Sequence, residues 1–128
     1  MEKVAFITGA NRGIGFETSK KLAESGIKVI LGSRDLNKGE EAVKKLSNLG
    51  IDADLVKYDA FDVDAPEEVY KYISEKYKKL DILINNAGVL LTGNLFVTNS
   101  SDVSDKDLKD TFQTNFFSII SLTQKLIP

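Results

Sequence analysis

Residues 7–22 read ITGANRGIGFETSKKL, with glycines at positions 9, 13 and 15. A Gly-x-x-x-Gly-x-Gly turn between an apolar run and a helical pattern gathers the unpaired N–H groups of a helix start and the positive end of its dipole. Such a point suits a phosphate. Gly9 supplies a backbone conformation that other residues avoid, Gly13 removes a Cβ where a pyrophosphate would approach, and Gly15 lets helix and strand pack closely. Turns of this kind also join strands to helices with no ligand present, so the spacing alone assigns nothing. It is not the loop of the nucleoside triphosphatases, because position 14 is Ile where that spacing needs Gly and no Lys-Ser/Thr pair follows.

A second signal stands at the end of the next apolar run, where dinucleotide folds read the adenosine ribose. An acid there accepts from both ribose hydroxyls, whereas an arginine favours a 2′-phosphate. The residues are Ser33 and Arg34, and Arg12 lies inside the glycine turn. Two guanidinium groups converging on one phosphate would each contribute a charge-assisted bond of about 1.5–3 kcal/mol. NADP(H) is therefore favoured over NAD(H). The competing reading pairs Arg34 with Asp35 at a helix start and leaves Arg12 as a solvated loop charge, which would suit a dehydrogenase using NAD(H).

Composition narrows the chemistry further. The 128 residues, 42% of them hydrophobic, are enough for one domain to bury a core. Neither Cys nor His occurs, which removes disulfides, thiolate zinc sites and triads built on histidine, and leaves proton transfer to Tyr, Lys, Asp or Glu. Seventeen basic and nineteen acidic residues are well mixed, for a formal net charge of −2. That gives no electrostatic case for nucleic acid or an anionic membrane, and a small molecule is the expected partner. The run MEKVAFITG is too short a stretch of apolar residues for a secretory signal, and no segment approaches the roughly 20 apolar residues of a membrane span. A cytoplasmic location is expected.

The elements that must hold these residues alternate. KVAFIT (3–8) reads as a strand and residues 14–25 as a helix closed by Gly26; IKVILGS (27–33) is a strand and DLNKGEEAVKKLSNLG (35–50) a helix stopped by Gly50. DADLVKYD (52–59) reads as a half-buried strand. Asp64, with Pro66 and the acidic Glu67 behind it, predicts the cap of a helix reaching about Lys79, and LDILIN (80–85) the next strand. A polar loop over 88–103 precedes a last helix capped by Ser104 with Asp107. VILGS and DILIN are continuous apolar runs, which suit a parallel sheet covered on both faces. The predicted fold is an α/β doubly wound parallel sheet of the Rossmann type, incomplete, with about four strands.

TGANRGIG at 8–15, NNAG at 85–88 and TNFF at 114–117, in this order and spacing, resemble the short-chain dehydrogenases/reductases, and within them the NADPH-dependent carbonyl reductases. The resemblance covers the whole chain. It implies that Asn11, Arg12 and Ile14 contact the cofactor's phosphates, that Asp62 and Val63 flank the adenine, and that Asn86, Ala87 and Gly88 line the ribose. It also implies that Asn115 belongs to a catalytic group of Asn, Ser, Tyr and Lys. In that mechanism Tyr protonates the carbonyl oxygen as hydride arrives, Lys lowers the Tyr pKa, Ser orients the substrate and Asn holds a water in the proton relay. Residue by residue, plainer alternatives stand beside these roles. Asp62 is also a turn residue ahead of Asp64, and Asn115 falls on the apolar stripe of Leu108, Phe112, Ile119, Leu122 and Leu126, where an amide finds a backbone partner.

The chain departs from the family pattern at its end, since Pro128 comes before the strand that would bring the catalytic Ser and the Tyr-x-x-x-Lys. Tyr72 and Lys76 have that spacing but precede NNAG, so position rules them out; with Val69, Ile73 and Tyr77 they read as one packed helix face. The expectation is an N-terminal cofactor-binding domain over 1–128, a fragment of a longer reductase acting on a small carbonyl substrate. The alternative is a non-enzymatic nucleotide-binding module of the same fold. In the strand order 3-2-1-4-5-6, DILIN would then be an apolar sheet edge, and the last helix would present Phe112, Phe116, Phe117, Ile119 and Ile120. Such surfaces lead us to expect a completing chain or self-association.

Overall fold

The computed structural model describes residues 2–86 and 118–126. In chain order the elements are β1 (Val4–Ile7), α1 (Gly13–Glu24), β2 (Lys28–Ser33), α2 (Leu36–Asn48), β3 (Asp54–Lys57), α3 (Ala65–Lys76), β4 (Ile82–Ile84) and α4 (Ser118–Leu126). The four strands form one parallel sheet in the order β3-β2-β1-β4, the order expected of a doubly wound fold. Phe6 lies between Ile30 of β2 and Leu83 of β4 in register. Among the described residues β4 pairs with β1 alone.

Alternation along each strand builds two cores. Val4 and Phe6 of β1 and Ile30 of β2 pack with Val69 and Ile73 of α3 and Leu122 of α4, while Ala5 and Ile7 pack on the other face with Val29, Leu31, and Ala42 and Leu46 of α2. Every residue of β1 is buried, which is why its sequence does not alternate. Burying a side chain such as Phe6 contributes about 1.5–3 kcal/mol. Its ring meets Tyr58 edge-on, with centroids 6.3 Å apart. Gly32 makes room for that ring, since a Cβ there would lie 2.8 Å from Phe6 Cζ.

Local signals set most boundaries. Asp35 caps α2 by accepting from the Lys38 N–H at 3.2 Å, and Gly26 and Gly50 end α1 and α2 with φ of 87° and 80°. α3 starts behind Asp64 as expected, but one capping bond and one boundary differ from the sequence expectation. Asp64 does not cap α3 with its side chain; its backbone is already helical, and Asp62 Oδ1 accepts from the Asp64 N–H at 2.9 Å. The aspartate that shapes this entry is thus Asp62, with Asp59 doing the same for the Phe61 N–H at 3.0 Å. α3 also stops at Lys76 rather than near Lys79, because Lys78 turns to φ 63° and its N–H returns to the Ile73 carbonyl at 3.0 Å. The predicted loop over 88–103, and the start of the last helix at Ser104, lie outside the described residues.

Candidate functional site

The C-terminal ends of the strands form one edge of the sheet, and backbone bonds tie the turns that leave it. Ala10 donates to the Gly32 carbonyl at 3.1 Å, which sets the glycine turn beside the end of β2. Tyr58 donates to the Ser33 carbonyl at 2.9 Å, which sets the segment after β3 on the other side. Thr8 donates its N–H to the Ile84 carbonyl at 3.0 Å, which brings in β4.

Within the turn, Gly9 and Gly13 have φ of 61° and 60°, a region where L side chains are strained. A Cβ on Gly13 would meet nothing within 4 Å, so that position needs glycine for its backbone angle and borders open space. Gly15 needs it for space, because a Cβ would lie 2.5 Å from both the Gly9 carbonyl oxygen and Asn86 Nδ2. Arg12 is the N-cap of α1, extended and making no side-chain cap bond, and no acid occupies the first turn. Among the described residues the helix dipole has no acidic partner in its first turn, as an anion site requires.

Asn86 closes the turn from β4. Its N–H donates to Thr8 Oγ1 at 2.9 Å, and its side-chain amide donates to the Gly9 carbonyl at 3.1 Å. Thr8 was not among the sequence candidates, although it stands inside TGANRGIG; its hydroxyl accepts the bond that fixes Asn86. Ser19 was missed as well, a buried hydroxyl donating to the Gly15 carbonyl at 2.8 Å.

At the end of β2, Ser33 is buried and Arg34 exposed. The carboxylate of Asp35 is occupied by its capping bond, and among the described residues neither Arg34 nor Arg12 has an ion-pair partner. Asp62 and Val63 follow β3 on the same edge, Val63 with 86% of its surface exposed and Ile14 with 79%. Gly9, Asn11, Arg12, Gly13, Ile14, Gly15, Arg34, Asp62, Val63 and Asn86 therefore all stand at the carboxyl edge of the sheet. Ala87, Gly88 and Asn115 lie outside the described residues.

A second polar cluster occupies the opposite edge. Asp54 opens β3, and its Oδ2 accepts from the Tyr72 hydroxyl at 2.8 Å, from the Tyr77 hydroxyl and from Lys76 Nζ at 2.9 Å, while Lys28 Nζ stands 3.4 Å from Oδ1. Burial raises the Asp54 pKa, but the hydrogen bonds from Tyr77, Lys76 and Tyr72 and the Lys28 charge outweigh it and hold the carboxyl at about 2. Burial and the bond to Asp54 push the Tyr72 pKa up. A tyrosine that serves as a general acid or base needs the reverse shift. The Tyr72-x-x-x-Lys76 spacing therefore builds a structural knot at the amino edge, away from the glycine turn.

A family model described as short chain dehydrogenase matches residues 3–128. The chain belongs to the short-chain dehydrogenase family. Among curated relatives of the chain, (-)-isopiperitenone reductase of Mentha piperita is 34% identical, with a match covering 100% of this chain and 52% of that protein. Carbonyl reductase (NADPH) 1 of Mus musculus is 33% identical over 98% of this chain and 44% of its own length. Salutaridine reductase of Papaver somniferum, a solved structure, superposes with a TM-score of 0.88 at 28% identity, covering 99% of this chain and 52% of that one. Actinorhodin polyketide ketoreductase, solved with NADPH, gives 0.88 at 28% identity over 98% of this chain and 46% of that one. The chain thus spans about half the length of these relatives. Among the described residues no helix is long and apolar enough to cross a membrane.

Proposed function

We propose that the chain is the NADP(H)-binding portion of a short-chain oxidoreductase that moves hydride between the nicotinamide and a carbonyl or alcohol substrate. The observation that carries this reading is the pair Arg12 and Arg34, without an ion-pair partner among the described residues and on adjoining turns beside a helix start that has no side-chain cap. A bound NADP(H) would supply the hydride. Gly9, Gly13 and Gly15 shape the turn that admits its pyrophosphate, with Asn11, Arg12 and Ile14 against the phosphates and Arg34 on the 2′-phosphate. Asp62 and Val63 take the adenine, and Asn86, Ala87 and Gly88 the ribose. NAD(H) is the poorer fit, because the first carboxylate along the chain after β2, that of Asp35, is committed to capping α2.

Asn115 is assigned to holding the water of the proton relay. The serine and the Tyr-x-x-x-Lys that would act with it are proposed to lie in sequence following Pro128, which would also place a fifth strand beside β4. We assign the protein to the cytoplasm, and the flank of β4 that no described strand pairs with to either that strand or a second copy of the chain. Dissociation constants for NADPH and NADH, read by quenching or transfer of nicotinamide fluorescence, test the cofactor reading. A tighter NADPH complex is expected, and equal affinities overturn it. Intact mass of the natural protein tests the fragment reading, since a mass of 14.1 kDa would overturn it.

A further inference from the structure

Among the described residues Arg34 has no ion-pair partner, and the residues beside it fix its turn. On one side, Ser33 is 1% exposed and its Oγ donates across Arg34 to the Asp35 carbonyl at 2.8 Å. The same carbonyl accepts from the Gly39 N–H at 2.9 Å, while the Asp35 carboxylate accepts from Lys38. The Ser33 carbonyl, in turn, is tied to Tyr58 of the segment following β3. Gly39 lets α2 sit close enough for this arrangement, since a Cβ there would lie 2.5 Å from Leu55 Cδ1 and 3.1 Å from Ser33 Cβ.

We propose that Ser33 is a positioning residue that sets the preference for a 2′-phosphate without touching it, by closing the turn that presents Arg34. The proposal rests on the NADP(H) reading above. The Ser33 hydroxyl is buried and its hydrogen is committed to Asp35, so it is out of reach of a ligand on the open side of the turn. Its effect is to restrict the backbone of Arg34, whose long side chain otherwise loses freedom when a phosphate binds. Removing the hydroxyl leaves the guanidinium present but its anchor loose, so the loss should fall on 2′-phosphorylated ligands alone.

The probes are adenosine 2′,5′-bisphosphate and 5′-AMP, which differ in the 2′-phosphate and need only the adenosine end of the crevice. Binding is measured by calorimetry on the full chain for the parent, Ser33→Ala, Arg34→Ala and the double variant, with a thermal melt for each. Ser33→Ala should weaken the bisphosphate by about three- to tenfold while 5′-AMP stays within about twofold. Arg34→Ala should weaken the bisphosphate by about tenfold or more, and the double variant no further, because the hydroxyl acts through Arg34. If Arg34→Ala removes the discrimination and Ser33→Ala leaves it intact, Ser33 does not position Arg34 and the proposal is overturned while the cofactor reading stands. If Arg34→Ala leaves the discrimination intact, the cofactor reading fails and the proposal falls with it. Should Ser33→Ala melt below the working temperature, Gly39→Ala disturbs the same turn from the helix side, and unchanged discrimination in that variant overturns the proposal.

Discussion

The side-chain amide of Asn86 donates to the Gly9 carbonyl oxygen at 3.1 Å, joining the end of β4 to the glycine turn across 77 positions of sequence. Gly15 leaves just enough room for this contact, so the turn, the helix start and the fourth strand are fixed together. Gly15→Ala should cost about 1–3 kcal/mol of stability by overpacking against backbone. Asn86→Ala should cost about 1 kcal/mol for the lost hydrogen bond. Urea denaturation of the two variants checks both, and a Gly15→Ala protein as stable as the parent would refute the packing argument.

The turn was legible because its residues carry their reasons in their types: glycine at 9 and 13 for positive φ, glycine at 15 for space, asparagine at 86 in a fixed motif. The covered parallel sheet followed from continuous apolar runs, and the strand order from the doubly wound fold class that these imply. The end of α3 was not legible, because a left-handed turn there falls on Lys78, a residue type with no special preference for it. The start of α3 was legible at Asp64, but the carboxylate that makes the bond there is that of Asp62, two residues earlier, for a related reason. Four aspartates or prolines crowd positions 59–66, and which carboxylate turns inward depends on the backbone path rather than on spacing. The Asp54 knot was invisible because its partners come from a strand and a helix separated by 18 and 23 positions.

Arg34→Asp should reverse the cofactor preference. A lost charge-assisted contact of about 1.5–3 kcal/mol corresponds to about a 10- to 100-fold weaker NADPH complex. NADH should bind more tightly than in the parent, since the new carboxylate can accept from both ribose hydroxyls. Fluorescence titration with the two nucleotides reads the change, and an unaltered ratio contradicts the role given to Arg34.

Acid should loosen the amino edge of the sheet through Asp54. Its folded pKa, about 2, lies below the ordinary 3.8, so the stability it confers is fully present above about pH 4 and is lost as pH falls towards 2. The loss should amount to about 2 kcal/mol. Asp54→Asn should be less stable at pH 7 and show a shallower decline over that acid window. Parallel curves for the two proteins would argue against the knot.

Tyr72→Phe should leave NADPH affinity unchanged, because Tyr72 stands at the edge opposite the glycine turn. Its removal should cost about 0.5–1.5 kcal/mol, the worth of one hydrogen bond to a shared acceptor. A large loss of cofactor affinity in a variant that melts normally would contradict the assignment of this tyrosine and Lys76 to structure.

Lys78→Gly should stabilise the protein by about 0.5–1 kcal/mol, since glycine adopts φ 63° without the strain that a side chain adds there and pays only part of that gain back in flexibility. A shift of the thermal midpoint upward is the expected reading, and a downward shift would mean that the lysine side chain matters more than its backbone.

The order β3-β2-β1-β4 has a temporal side. Translation runs from the amino end, so β1, made before the other three strands, becomes an interior strand with one neighbour made soon afterwards and the other much later: Val4 waits for Asp81, 77 positions on. Until then one flank of a fully apolar strand is unpaired, and β1, β2 and β3 can associate only as a half-finished sheet. The nascent chain is thus exposed to misassociation through the side of β1 that β4 finally covers, in a window set by the rate of synthesis.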